Sequence, residues 1–141
     1  MPTPDIDVLL SRARAWLAED PDEHTVAELR AVIDAVEDDD ATAAADLADR
    51  FHGTLEFGTA GLRGALGAGP NRMNRVVVTR AAAGLAAYLH DHGHGRGRVV
   101  IGYDARHNSD VFARDTAEVM TGAGLKALVM PRPLPTPIVA F

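Results

Sequence analysis

The sequence predicts an α/β fold preceded by a helical arm, on three observations. Two short apolar runs, Val99–Tyr103 and Leu125–Met130, flank a helical stretch at Asp110–Thr121, which together make a βαβ unit. Residues 1–54 carry apolar side chains at helical spacing and read as the arm, leaving 55–141 as the α/β part. At 141 residues, 47% hydrophobic and 24% charged, the chain is long enough for a hydrophobic core but not for several domains.

In the arm, Val8, Leu9, Ala13, Trp16 and Leu17 fall near helical spacing, and the helix they predict stops at Asp20-Pro21, where proline disfavours helix in the preceding residue. Thr25 and Glu28 have the spacing of a capping box, and Val26, Leu29, Val32, Ile33 and Val36 form one apolar stripe behind it. The acidic run Glu37-Asp38-Asp39-Asp40 reads as a solvated helix end or loop, a divalent-cation loop being the alternative, and Ala41–Phe51 as a third helix.

From Leu55 the pattern changes. Glycines at 58, 61 and 64 surround Arg63 and forbid a good helix, so a strand leading into a tight loop is expected. Asn74 is placed to cap a long helix from Arg75 to about His90, with Val76, Val77, Ala81, Leu85, Tyr88 and Leu89 on its buried side. The two apolar runs are expected to be parallel, central and covered on both faces, with Asn108 or Ser109 capping the helix between them and Gly122 and Gly124 closing it. Beyond them, Thr136 is expected to cap a helix with Pro137 in its first turn; because only Ile138 to Phe141 follow, the chain reads as cut.

No apolar run is long enough to cross a bilayer and the first residues lack the basic start of a secretory signal, so the expected location is the cytoplasm, away from membranes. The absence of cysteine excludes thiolate nucleophiles, CxxC redox chemistry and zinc-thiolate sites. The net charge of −6 is unevenly placed: residues 1–56 hold 15 acids and 4 arginines, net −11, while 57–141 are net +5. Thirteen of the fourteen basic residues are arginine, the residue that grips phosphate bidentately, although GC-rich codon usage would produce the same excess. Nucleic acid fits poorly, because aromatic residues are only 5% and no basic run is interleaved with them.

Three constellations carry the chemical expectations. Gly58-Thr59-Ala60-Gly61-Leu62-Arg63-Gly64 combines a backbone able to approach an anion with a charged fork, as phosphate recognition requires; a sharp turn with no ligand satisfies the same spacing. Gly102-Tyr103-Asp104-Ala105-Arg106 lies past the carboxyl end of a parallel strand, where α/β sheets bind ligands, yet Asp104 and Arg106 could equally pair with each other. His90, His92 and His94 have the alternation of a chelating strand but sit between a helix end and glycines, the setting of a solvated loop.

Four ordered segments together resemble the first domain of the α-D-phosphohexomutase superfamily, in its phosphoglucomutase/phosphopentomutase branch, which includes bacterial proteins labelled phosphomannomutase. They are Glu56 to Gly64, then Gly69-Pro70-Asn71-Arg72-Met73-Asn74, then Gly102 to Arg106, then Pro135-Thr136-Pro137. The resemblance implies an incomplete three-layer αβα domain with a mixed or parallel sheet. It implies phosphosugar mutase chemistry, in which a phosphoserine and a sugar bisphosphate intermediate interconvert hexose or pentose 1-phosphates with 6- or 5-phosphates. Mg2+ and a sugar bisphosphate activator are the implied cofactors, and a phosphosugar the implied partner. Arg63 resembles the family's arginine beside the phosphoserine, with Gly58, Thr59 and Gly61 shaping its loop. Arg72 and Asn74 match an Arg-Met-Asn element of the phosphate and substrate loop, and Asp104 and Arg106 match a strand-end motif expected to be architectural.

The family's serine loop, metal loop, sugar-specificity loop and C-terminal domain have no counterpart in these residues, and neither Ser11 nor Ser109 lies in the serine motif. No metal ligand is therefore assigned in this chain, and no turnover is expected from it alone. A phosphate-binding module, or one half of a split mutase acting with a complementary chain, are the alternatives. The sheet edge beyond Leu125–Met130 is expected to be exposed and prone to self-association.

Overall fold

A computed structural model describes residues 4–59 and 61–140; Ala60 of the glycine loop and Phe141 lie outside the described residues. The chain forms two compact units, 1–77 and 78–141, each with its own buried cluster.

The first unit is built on three helices, α1 (Ile6–Glu19), α2 (Glu23–Glu37) and α3 (Ala41–Arg50). An aspartate caps each: Asp5, Asp22 and Asp40 accept from backbone amides of the first turns, the most favourable place for a carboxylate on a helix. The start of α2 corrects the capping-box expectation. Asp22 is the cap, so Thr25 falls inside the first turn and donates its hydroxyl to Asp20, while Glu28 turns away to pair with Arg50. Extended backbone at Asp22, just after Pro21, starts the helix three residues early. In α1, Leu9, Leu10, Ala13 and Trp16 are buried and Val8 is exposed, against expectation for Val8. These side chains, with Leu29, Ile33, Val36, Leu47 and Phe51, form the core, in which Trp16 meets Phe51 edge to face. The acidic run is a helix end and turn, Asp38 ending α2 and Asp40 starting α3.

The expected strand before the glycine loop is instead a minimal antiparallel ribbon, β1 (Phe57–Gly58) with β2 (Gly61–Leu62), in the register Phe57↔Leu62 and Gly58↔Gly61. A loop then leads to α4 (Arg75–Asp91), which Asn74 caps as expected. The buried side of α4 is the expected one at Val76, Val77 and Leu89 but not at Leu85 and Tyr88. Val76 and Val77 are buried with the first unit's core and Ala82 and Ala86 with the second's, whereas Leu85 and Tyr88 are exposed. The segment is apolar on nearly every side, so spacing alone does not select a face, and the small side chains are the ones that admit Met120 and Leu125.

The second unit contains the predicted βαβ arrangement: β3 (Arg98–Ile101), α5 (Ser109–Gly122) and β4 (Lys126–Val129), with the strands parallel in the register Arg98↔Lys126 to Ile101↔Val129. Complete coverage of the sheet is overturned. Val100 and Leu128, paired on one face, are 52% and 40% exposed, and Val129, opposite Ile101 on the other face, is 44% exposed; the sheet has two strands among the described residues, and packing covers it at Val99 and Ile101. Gly124, with φ 87, closes α5, its left-handed conformation letting the Leu125 amide reach back to the Met120 carbonyl. Asn108 sits at the N-cap of α5 in left-handed geometry without a side-chain cap bond, and Ser109 belongs to the first turn, so neither caps as expected. The short α6 (Thr136–Val139) has Pro135, not Thr136, as its cap, since Pro135 already holds the extended entry geometry.

Candidate functional site

Both legs of the β1–β2 ribbon are fixed from below. The Leu55 amide donates to the Pro70 carbonyl at 2.9 Å, and the Leu55 side chain lies so close over Gly64 that a Cβ there would stand 2.7 Å from it. Leu62 packs against the core of the first unit. Above these anchors, Gly58, Thr59, Gly61 and Arg63 are exposed together. Gly61, at φ 93, holds a conformation open to glycine and strained for other residues. Among the described residues, no hydrogen-bond or ion-pair partner engages the Arg63 side chain.

The next loop is the opposite in character. Gly67, Ala68, Gly69 and Pro70 are buried, although they lie between secondary-structure elements. Their backbone groups are satisfied by one side chain above all. Asn74, 2% exposed, donates from Nδ2 to the carbonyls of Gly67 and Gly69, both at 2.8 Å, while its Oδ1 accepts from the Val77 amide at 3.0 Å. Asn74 is thus a clamp and a cap at once, with its polar atoms turned inward. Arg72 donates to Asp49 at 2.6 Å and lies 3.7 Å from Asp46, so its charge faces α3.

Arg50, which sequence reasoning missed, sits under this loop. Its guanidinium pairs with Glu28 of α2, donates to Asp46 of its own helix at 2.8 Å and reaches the Ala68 carbonyl at 3.2 Å. Burial opposes its charge, but the hydrogen bonds to Asp46 and Glu28 outweigh that cost and raise its pKa above the ordinary value. The four-residue spacing of Asp46 and Arg50 was available as a signal; the pairing with Glu28, 22 residues away, was not.

Asp104 and Arg106 belong to the second unit. Asp104 accepts from the Arg106 amide at 3.1 Å, the Ser109 hydroxyl at 2.8 Å and Arg106 Nε at 2.8 Å. The Arg106 amide, then the Ser109 hydroxyl, hold its carboxyl below the ordinary range. This is an Asx-type brace across the turn into α5. In the histidine tract, His90 Nε2 donates to the Ala123 carbonyl at 2.6 Å and His92 stacks on Tyr88 at 3.9 Å, so two of the three rings have structural contacts. Among the described residues no three His, Asp or Glu side chains converge to hold a metal ion.

Residues 54–141 match the family model described as phosphoglucomutase/phosphomannomutase, alpha/beta/alpha domain I. The chain belongs to this family. Its ribbon, loop and βαβ unit are therefore parts of a phosphohexomutase first domain. A probable phosphomannomutase of Haemophilus influenzae is 61% identical over 69 residues, covering 49% of this chain and 14% of that protein. A phosphoglucomutase of Staphylococcus haemolyticus is 41% identical over 91 residues, 64% of this chain and 16% of the relative. A probable phosphoribomutase of Schizosaccharomyces pombe is 40% identical over 128 residues, 89% of this chain and 21% of the relative. The matched segments thus span only between 14% and 21% of these relatives. No solved structure matches. No helix among the described residues is long and apolar enough to cross a membrane.

Proposed function

We propose that this chain is the phosphate-gripping part of a cytoplasmic phosphosugar mutase, which moves a phosphoryl group between the 1-position and the 6- or 5-position of a hexose or pentose. The observation that supports this most strongly is the contrast among three arginines. Arg50 and Arg72 are held by carboxylates, while Arg63 stands exposed on a glycine ribbon. Its planar fork can take two oxygens of a phosphoryl group, and the flanking glycines allow the backbone to approach without side-chain interference. In phosphoryl transfer the reacting group carries spread negative charge and is stabilised mainly by positioning and electrostatics, work to which an exposed arginine on a glycine ribbon can contribute.

Mg2+, a sugar bisphosphate activator and a phosphoserine belong to this proposal through the family and are assigned to none of the described residues. Ser109 donates its hydroxyl to Asp104 and Ser11 lies in α1, which favours a second reading for the 141 residues acting alone: phosphate binding without turnover. Two measurements test the pair. Calorimetric titration of the chain with glucose 1-phosphate and with inorganic phosphate should give saturable binding that Arg63→Ala weakens by about a factor of ten to a hundred while leaving it measurable. Glucose 1-phosphate and ribose 1-phosphate turnover should be found in the protein as its source cells make it and not in the chain alone. Failure of the first removes the phosphate role of Arg63; failure of the second in the native protein removes the mutase.

A further inference from the structure

We propose that Arg50 is a positioning residue for Arg63, acting through the buried loop at 67–73. The inference rests on the phosphate-binding role of Arg63 and adds to it the group that fixes where Arg63 stands. Three observations converge. First, the loop is wrapped around Arg50: its guanidinium reaches the Ala68 carbonyl, its own carbonyl accepts from the Asn71 amide at 3.0 Å, and a Cβ on Gly69 would meet that carbonyl at 2.9 Å. Gly69, at φ 109, and Gly67, whose Cβ would stand 3.1 Å from both Arg50 Nη1 and Glu28 Oε1, are shaped to let the loop come this close.

Second, the ribbon is tied to this loop on both sides. On the way in, the Leu55 amide donates to Pro70. On the way out, the Met73 amide donates to Ala65 at 2.7 Å, the Gly67 amide donates to Met73 at 3.2 Å, and Leu66 and Met73 form a parallel bridge. Arg63 therefore lies between two attachments to one loop. Third, that loop is anchored to the helices by a side chain only 12% exposed, which joins α2 and α3 through Glu28 and Asp46. A planar fork satisfies these acceptors together; a lysine keeps the charge but cannot reproduce the geometry.

Nothing in this route touches a ligand. Arg50 acts only by setting the position of the ribbon, and its effect must therefore vanish when Arg63 is gone. The test is a double-mutant cycle on the full chain with Arg50→Lys and Arg63→Ala, reading the dissociation constant for inorganic phosphate and for glucose 1-phosphate. Arg50→Lys is expected to weaken binding about tenfold when Arg63 is present and to change nothing in the Arg63→Ala background. Equal weakening in both backgrounds, or none in either, overturns the proposal.

Should Arg50→Lys fail to fold, Gly69→Ala presses the same loop off the Arg50 backbone carbonyl without altering charge and must show the same cycle. Should the wild-type chain bind neither probe, the phosphate reading itself falls, and amide hydrogen exchange decides the positioning. Exchange at Gly58, Gly61 and Arg63 should accelerate about tenfold in Arg50→Lys while the amides of α1 keep their protection. Unchanged exchange on the ribbon overturns the proposal.

Discussion

Replacing Asn74 by alanine removes a helix cap and the donor that satisfies two buried carbonyls in one step. Asn74 is 2% exposed, and its Nδ2 bonds to Gly67 and Gly69 are both 2.8 Å long. A buried carbonyl left without its donor costs about 1 kcal/mol or more, and loss of an N-cap side chain about 1 kcal/mol. With two carbonyls and one cap lost, the expected destabilisation is about 3 kcal/mol, a large share of the roughly 5–15 kcal/mol that holds a domain folded. In a chain of this size that corresponds to a fall in Tm on the order of 10 °C. Urea unfolding followed by fluorescence is the direct assay, because Trp16 is the protein's single tryptophan and lies in the core of the same unit. Asn74→Ser separates the two contributions: serine restores the cap but cannot reach the carbonyls, so about 2 kcal/mol should still be lost. An Asn74→Ala midpoint within about 0.5 kcal/mol of wild type, or a serine variant as stable as wild type, would refute the clamp.

Arg63→Ala should leave the urea midpoint unchanged while weakening phosphate binding, since the side chain is exposed; a large stability loss would show that it has a structural partner. Because the folded state holds Asp104 below its ordinary pKa, the brace contributes stability above the unfolded value of about 3.9 and loses it as pH falls through the lower folded value. Amide exchange at Arg106 should therefore accelerate below about pH 4 in the wild type and be fast at neutral pH in Asp104→Asn, and a wild-type rate independent of pH-driven opening would contradict this. The exposed face carrying Val100 and Leu128 should drive concentration-dependent self-association in sedimentation experiments. Val100→Lys combined with Leu128→Glu places opposite charges at directly paired positions and should return the chain to a monomer; a wild type that stays monomeric at all concentrations would remove the premise.

The parts legible in the sequence were those with a local cause. Stripes such as Leu29, Ile33 and Val36 announce α2 because burial repeats along the helix, and Asn74 announces its cap because the hydrogen bond spans three residues. Glycines around Arg63 likewise mark a backbone that must leave helical geometry. What escaped was set by residues far apart. Arg50 meets Glu28 and Ala68 only once three helices and a loop have packed, and the α4 face is chosen by Met120 and Leu125 more than thirty residues away. Uninterrupted apolar runs usually mark a sheet covered on both faces, yet Val100 and Leu128 face outward here. At the candidate site, the residue types were legible, but not the division of labour that turns Arg72 and Asn74 inward and leaves Arg63 outward.

Each unit's possession of its own core has a consequence for synthesis on the ribosome. The buried cluster of the first unit is drawn from Leu9 to Val77, and the helices within it are joined by short turns. Residues 78–141 are translated afterwards, which at about 5–20 residues per second takes on the order of 3–13 s. Helical arrangements with local contacts fold in well under a second. The nascent chain can therefore set Arg50, the buried loop and the Asn74 clamp before β4 is available to pair with β3. The aggregation-prone strand surface is then made only after the first unit is withdrawn from misfolding.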